Sequence, residues 1–256
     1  MIGEAEQVSK NFGEAVDAYK LFRPTYPRAL FDYLFEQTIA EHTTAIDLGA
    51  GTGLCAQELS YAFDYVIAVE PDARMAAKIS ELSPKIKVCT CAAEDFSVNS
   101  KSADLVTAGN AFYWMDGPRI AESSAKWLCK NGVFAVFRYG FPRTIPDVQA
   151  ILLKELEKHW DSYRHERLRD EDYSWRVIQS APSFRHVDRS IIPNTIQLQA
   201  RELVGFFAST SYGSAYIAAL PPDNNYLSAL VDLVGYASGN SNIPVDFSLE
   251  LIVART

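Results

Sequence analysis

Hydrophobic and polar positions follow two alternating periods along the first half of the chain. "ALFDYLFEQTIA" (29 to 40) has apolar residues at helical spacing, and "TAIDLG" is a short buried strand. "GLCAQELSYAF" is helical again, "YVIAVE" (65 to 70) a strand, "PDARMAAKISEL" a helix and "KIKVCTCA" a strand. The rhythm continues through a strand in "ADLVTAGN" (103 to 110), a helix over "PRIAESSAKWLCK" and the strand "GVFAVFRYG" (132 to 140). Strands separated by helix-length segments predict parallel pairing through right-handed crossovers, with helices on both faces of an open sheet.

After Gly140 the rhythm changes. "DVQAILLKELEKHWDSY" (147 to 163) carries a helical apolar stripe and is followed by the charged run "RHERLRDEDYSW", which reads as an insertion. "FRHVDRSIIP" and "VDFSLELIVAR" are strand-like, with helix-like segments near 200 to 209 and 226 to 237 between them. They predict a terminal strand pair at the sheet edge, one strand antiparallel.

Composition narrows the partners. The chain has 256 residues, 48% of them hydrophobic, enough for a full core, and its length suits one α/β domain with insertions. Its formal charge of -8 disfavours a phosphate-tracking surface, so a small molecule is expected and nucleic acid is not. The N-terminus has no apolar segment of signal-peptide type, and no uncharged apolar run has membrane-spanning length. A soluble, cytoplasmic protein without a membrane partner is expected; oligomeric state is left open. Cys89 and Cys91 alternate in "KIKVCTCA" as if on one face of a strand, and all four cysteines read as buried and structural. No Cys or His pair stands at metal-ligand spacing, so no metal is expected.

The chemistry concentrates in "AIDLGAGTG". A strand ends at Asp47 and Leu48 and enters a turn in which Gly49, Gly51 and Gly53 permit positive φ and close ligand approach. Glu70 ends the next strand, where a carboxylate can accept both hydroxyl hydrogens of a ribose. Nicotinamide and flavin fingerprints use G-x-G-x-x-G and a pyrophosphate. Here the spacing is G-x-G-x-G behind an acid that would repel a pyrophosphate and favour a cationic ligand. A nucleotide-dependent oxidoreductase is therefore the weakest reading.

These residues, with "VEPDARM", "CAAEDFSVNSKSADLVTAGNAFYWMD" and "AYKLFRPTYP", resemble the motifs of class I S-adenosylmethionine-dependent methyltransferases over roughly residues 10 to 140. The last motif and "AFYW" are most similar to the branch of trans-aconitate methyltransferases and related small-molecule enzymes. The resemblance implies an α/β, three-layer, Rossmann-like, doubly wound seven-stranded sheet, mostly parallel with the last strand antiparallel, plus a helical lid. One domain is expected over 1–256: an N-terminal lid (1–28), a cofactor-binding core (29–140), a helical insertion (141–180) and C-terminal strands and helices (181–256) that complete the sheet and cover the substrate.

By the same resemblance, Asp47, Gly49, Gly51 and Gly53 would surround the methionine part of S-adenosylmethionine, and Glu70 would hold its ribose. Pro71 and Met75 would lie beside the adenine, Ala93 and Glu94 at its edge, and Asn110 near the methionine end. Tyr19 and Arg23 would fold over the cofactor, with Arg23 available to its carboxylate. The expected reaction is in-line methyl transfer to a small-molecule acceptor, a carboxylate by preference, leaving S-adenosylhomocysteine. A carboxylate is already ionised at neutral pH and needs desolvation and alignment, not a dedicated base. Relatives often carry histidine where this chain has Tyr113, which suits hydrogen-bond donation better than base catalysis. Tyr26, Tyr113, Trp114 and Tyr139 are candidate substrate contacts, as are Arg138 and Arg143. Trp160, Tyr163, Tyr173, Trp175 and "GFFASTSYGSAY" are candidate walls. A non-catalytic S-adenosylmethionine-binding accessory protein and a phenol or amine acceptor are the alternatives.

Overall fold

Strands covered on both faces need apolar side chains at nearly every position. β1 (Thr44–Leu48), β2 (Tyr65–Val69) and β4 (Ala103–Gly109) meet that need and are buried almost throughout, whereas β3 (Ile86–Cys89) is partly exposed. The computed structural model describes residues 22–221 and 223–256. It forms two compact units, and the larger comprises Thr25–Gly140, Asp170–Ile192 and Leu249–Thr256. Tyr19 and most of the expected N-terminal lid lie outside the described residues.

The larger unit is a seven-stranded sheet in the order β3-β2-β1-β4-β5-β9-β6. It adds β5 (Leu128–Tyr139), β6 (His186–Ile192) and β9 (Leu249–Arg255) to the first four strands. β1 to β5 pair in parallel, and β9, last in the chain, runs antiparallel to both β5 and β6. Alternation of side chains along each strand splits the core in two. Ala45, Val66, Ala68 and Phe137 pack with Leu30 and Leu34 of α1 (Arg28–Gln37), Leu59 of α2 (Leu54–Ala62) and Ile79 of α3 (Ala73–Ile79). Ile46, Leu48, Phe134 and Val136 pack instead with Ile120 and Ala121 of α4 (Gly117–Trp127). Each fully buried Leu or Phe contributes about 1.5–3 kcal/mol by leaving water.

After Gly140 the chain contributes α5 (Pro146–Glu155) and α6 (Glu166–Arg169) to the smaller unit. It returns to the sheet unit with α7 (Tyr173–Ser180), whose Ile178 joins the core of α4. The smaller unit also contains α8 (Ala200–Ala208), α9 (Ser211–Ala218), α10 (Tyr226–Ala237) and a two-stranded antiparallel sheet of β7 (Thr195–Leu198) and β8 (Ile243–Asp246). A π-helical turn, Leu156–Trp160, continues α5 and buries Trp160 against Phe207, with ring centroids 4.9 Å apart. Trp160, a candidate wall residue, is therefore core. Among the described residues no helix is long and apolar enough to cross a membrane.

Three local expectations are corrected. "WLCK" does not extend the helix: the buried stripe of α4 ends at Trp127, and Leu128 pairs with Ala103 before Asn131, at φ 67°, turns the chain into the rest of β5. "VDFSLELIVAR" is two strands in two sheets, because the Asp246 carboxylate accepts from the N–H and hydroxyl of Ser248 and bends the chain. β3 ends at Cys89, so Cys91 is not on a strand; Cys89, Cys91 and Cys129 are half-buried, and only Cys55 is buried as expected.

Candidate functional site

The turn between β1 and α2 needs glycine for steric reasons. Gly49, Gly51 and Gly53 have φ of 64°, 59° and 90°. A Cβ on Gly49 would stand 2.6 Å from Ala111 Cβ, and one on Gly53 would stand 2.5 Å from Leu82 Cδ1. The turn spends three N–H groups internally: Ala50 donates to Val69 O, Gly51 to Glu70 Oε2 and Gly53 to Ala50 O. Those hydrogens are not available to cradle a phosphate. What the turn presents is bare main chain beside carboxylates.

Glu70 ties this turn to the next one. Its two oxygens accept from Gly51 N at 2.8 Å and Asp72 N at 2.9 Å, and each retains a lone pair. Burial pushes its carboxyl above the ordinary range, against the pull of those two N–H donors. Asp72 in turn caps α3, accepting from Arg74 N and Met75 N. Pro71 is exposed and Met75 is 5% exposed.

Asp47 is buried at the end of β1. Its Oδ1 accepts from Thr107 Oγ1 at 2.8 Å, while Oδ2 is buried without a hydrogen-bond partner. Burial pushes its carboxyl up to about 6, partly opposed by Thr107 and Cys55. Thr107 was missed in the sequence; a hydroxyl residue inside the apolar "ADLVTAG" was the available signal.

The end of β4 builds a second network. Asn110, at φ 50°, donates its N–H to Phe137 O, accepts from Tyr139 N at its Oδ1 and faces Tyr26 Oη with Nδ2 at 3.0 Å. A main-chain N–H can only donate, which assigns the amide: Oδ1 faces Tyr139 and Nδ2 donates to Tyr26. The Tyr26 ring stands edge-on to Phe137, with centroids 5.0 Å apart, and a Cβ on Gly109 would meet its Oη at 2.9 Å.

Other candidates are distributed around these networks. Phe112 is core, while Tyr113 and Trp114, in the same 3-10 turn, are half-buried with rings 5.3 Å apart. The Arg138 guanidinium, 5% exposed, lies 5.4 Å over the Tyr113 ring and donates to Asp170 O at 3.4 Å. Ala93 is buried, and Glu94 Oε1 accepts from Asp116 N at 2.7 Å, so one of its oxygens serves the start of α4. Arg23 belongs to the smaller unit, where it donates to Ser209 O at 3.2 Å and lies over Phe206. Arg143, also in that unit, is exposed. Among the described residues no three His, Cys, Asp or Glu side chains gather as a metal would need.

A family model described as a methyltransferase domain matches residues 46–136, the stretch that runs from β1 into β5. A Dictyostelium discoideum protein named as a methyltransferase is 28% identical over 215 residues, covering 81% of this chain and 79% of that one. The chain is an S-adenosylmethionine-dependent methyltransferase. A type II methyltransferase structure from Anaeromyxobacter dehalogenans superposes on this methyltransferase with a TM-score of 0.76, at 24% identity, over 91% of this chain and 98% of that one. The phosphoethanolamine N-methyltransferase 2 of Haemonchus contortus, solved with S-adenosyl-L-methionine, has a TM-score of 0.54 at 13% identity over 95% of this chain and 57% of its own. Both likenesses bear on the methyltransferase fold alone. The glycine turn, Glu70 and Asn110 all fall inside the matched segment, whereas Tyr26 and Tyr139 fall outside it.

Proposed function

We propose that this methyltransferase transfers the methyl group of S-adenosylmethionine to an oxygen of a small-molecule acceptor, a carboxylate by preference, as in the trans-aconitate branch it resembles. The residues fit the cofactor on one structural ground: Asp47 Oδ2 is a buried acceptor without a bonded partner, beside a turn whose N–H groups are largely spent. An ammonium suits that position and a phosphate does not. In this reading Asp47, Gly49, Gly51 and Gly53 face the methionine part, and the remaining lone pairs of Glu70 take the ribose hydroxyls. Pro71 and Met75 flank the adenine, Ala93 and Glu94 read its edge, and Asn110 stands near the methionine end. When bound, the cofactor supplies an electrophilic methyl group; the chain supplies alignment and exclusion of water.

The charge beside Tyr113 carries the choice of acceptor, and Asn110 holds the candidate contact Tyr26 at the end of β4 by donating to its Oη. The Arg138 guanidinium lies over the Tyr113 ring, beside half-buried Trp114, and its positive charge favours an anionic acceptor over an ammonium.

The test is a radiolabelled methyl-transfer screen over small carboxylic acids, phenols and amines. Transfer to acids is expected, with Tyr26→Phe raising the acceptor KM roughly tenfold, the cost of one hydrogen bond, and leaving S-adenosylhomocysteine affinity unchanged. Transfer confined to amines, or a Tyr26→Phe enzyme with unaltered acceptor kinetics, would reject this assignment.

A further inference from the structure

Asp47 carries an asymmetry that cofactor binding alone does not require. One oxygen is bonded to Thr107 on β4; the other is enclosed without a hydrogen-bond partner at the end of β1. From α2, the Cys55 thiol and the Ala56 N–H offset part of the burial cost. Burial also raises the thiol well above its ordinary range, so it stays neutral. From β2, the charged group acting on Asp47 is Glu70, a second acid, which makes ionisation harder. A carboxylate so placed is costly when charged and tolerable when protonated.

We propose that binding of the cofactor's amino-acid end drives a proton off Asp47, making cofactor affinity depend on pH through this one buried residue. This rests on the reading of the glycine turn as the cofactor site. The neutral acid of the free protein gives its proton to solvent as the ligand's ammonium reaches the enclosed oxygen, so a carboxylate replaces an acid and an ion pair replaces an unpartnered group. With the Asp47 carboxyl at about 6, release amounts to about half a proton near pH 6 and fades above about pH 7. Affinity for the amino-acid-bearing ligand then falls roughly tenfold from about pH 7 to about pH 5.

Calorimetric titrations at pH 6 in phosphate and in a buffer of high ionisation enthalpy read proton release directly. Two probes are needed: S-adenosylhomocysteine, and 5′-methylthioadenosine, which shares the nucleoside but lacks the ammonium and carboxylate. Buffer-dependent heat is expected with the first probe and not the second. Asp47→Asn should bind both without it, its affinity for 5′-methylthioadenosine reporting that the site is folded. Proton release that persists in Asp47→Asn, or that accompanies 5′-methylthioadenosine equally, overturns the proposal. So does S-adenosylhomocysteine binding with no buffer dependence, although the cofactor reading then survives. Failure of both probes to bind overturns the cofactor reading and the proposal with it.

Discussion

Burying Asp47 costs the ligand-free protein stability in a pH-dependent way. Its folded value of about 6 lies above the unfolded value near 3.8, so between those limits the native state binds more protons than the unfolded chain. Stability from this residue therefore declines as pH rises through about 4 to 6, and above that window the penalty is on the order of 3 kcal/mol. Asn at this position keeps the acceptor for Thr107 and removes the charge. Asp47→Asn is accordingly expected to be about 1–3 kcal/mol more stable than the native chain at about pH 8, with the advantage gone near pH 4. Urea denaturation at the two pH values checks this, and an equal advantage at both would mean that the charge is not its source.

At the scale of elements, α3 separates structural support from ligand contact. Asp72 accepts from the N–H groups of Arg74 and Met75, while its own N–H reaches Glu70. Asp72→Ala deletes the cap and keeps the N–H, so a loss of about 1 kcal/mol in urea denaturation is expected. The exposed side of the Arg74 pair adds little. Affinity for S-adenosylhomocysteine should be nearly unchanged; a parallel loss would show that the cap also shapes the ligand turn. The extra 3-10, π-helical and αL features, at Phe112–Trp114, Leu156–Trp160 and Asn131, were not legible as patterns. Each depends on which neighbour buries the side chain, not on local periodicity.

For the whole molecule, the sheet order sets where a ligand can bind. Chain order runs outward from β1 through β2 to β3, then resumes beside β1 with β4 and β5. Strand order reverses between β1 and β4, and the crevice at their carboxyl ends is where open α/β sheets bind ligands. The loops leaving those two ends approach so closely that Gly49 has no room for a Cβ beside Ala111. Because the native sheet creates that site, a ligand for it stabilises the fold by mass action. S-adenosylhomocysteine at one hundred times its Kd should stabilise the protein by about 2.7 kcal/mol, seen as a concentration-dependent rise in Tm. A melting temperature indifferent to the ligand would contradict binding to the native sheet.

The alternation of strands and helices through β5, the position of the glycine turn and the acids at the ends of β1 and β2 are all written in local stretches of the chain. Those features are local: doubly covered strands are apolar runs, helices carry a stripe, and a turn at positive φ needs glycine where it occurs. Folding alone decided that Thr107 holds Asp47, 60 positions away, and that Asn110 donates to the Tyr26 phenol across 84 positions. It also decided that β9 lies inside the sheet between β5 and β6, and that segments separated by β6 join in the smaller unit. Hydrogen-bond direction, enclosure of a carboxylate oxygen and strand placement are relations between distant residues. They acquire a value only when the chain has closed the distance between them.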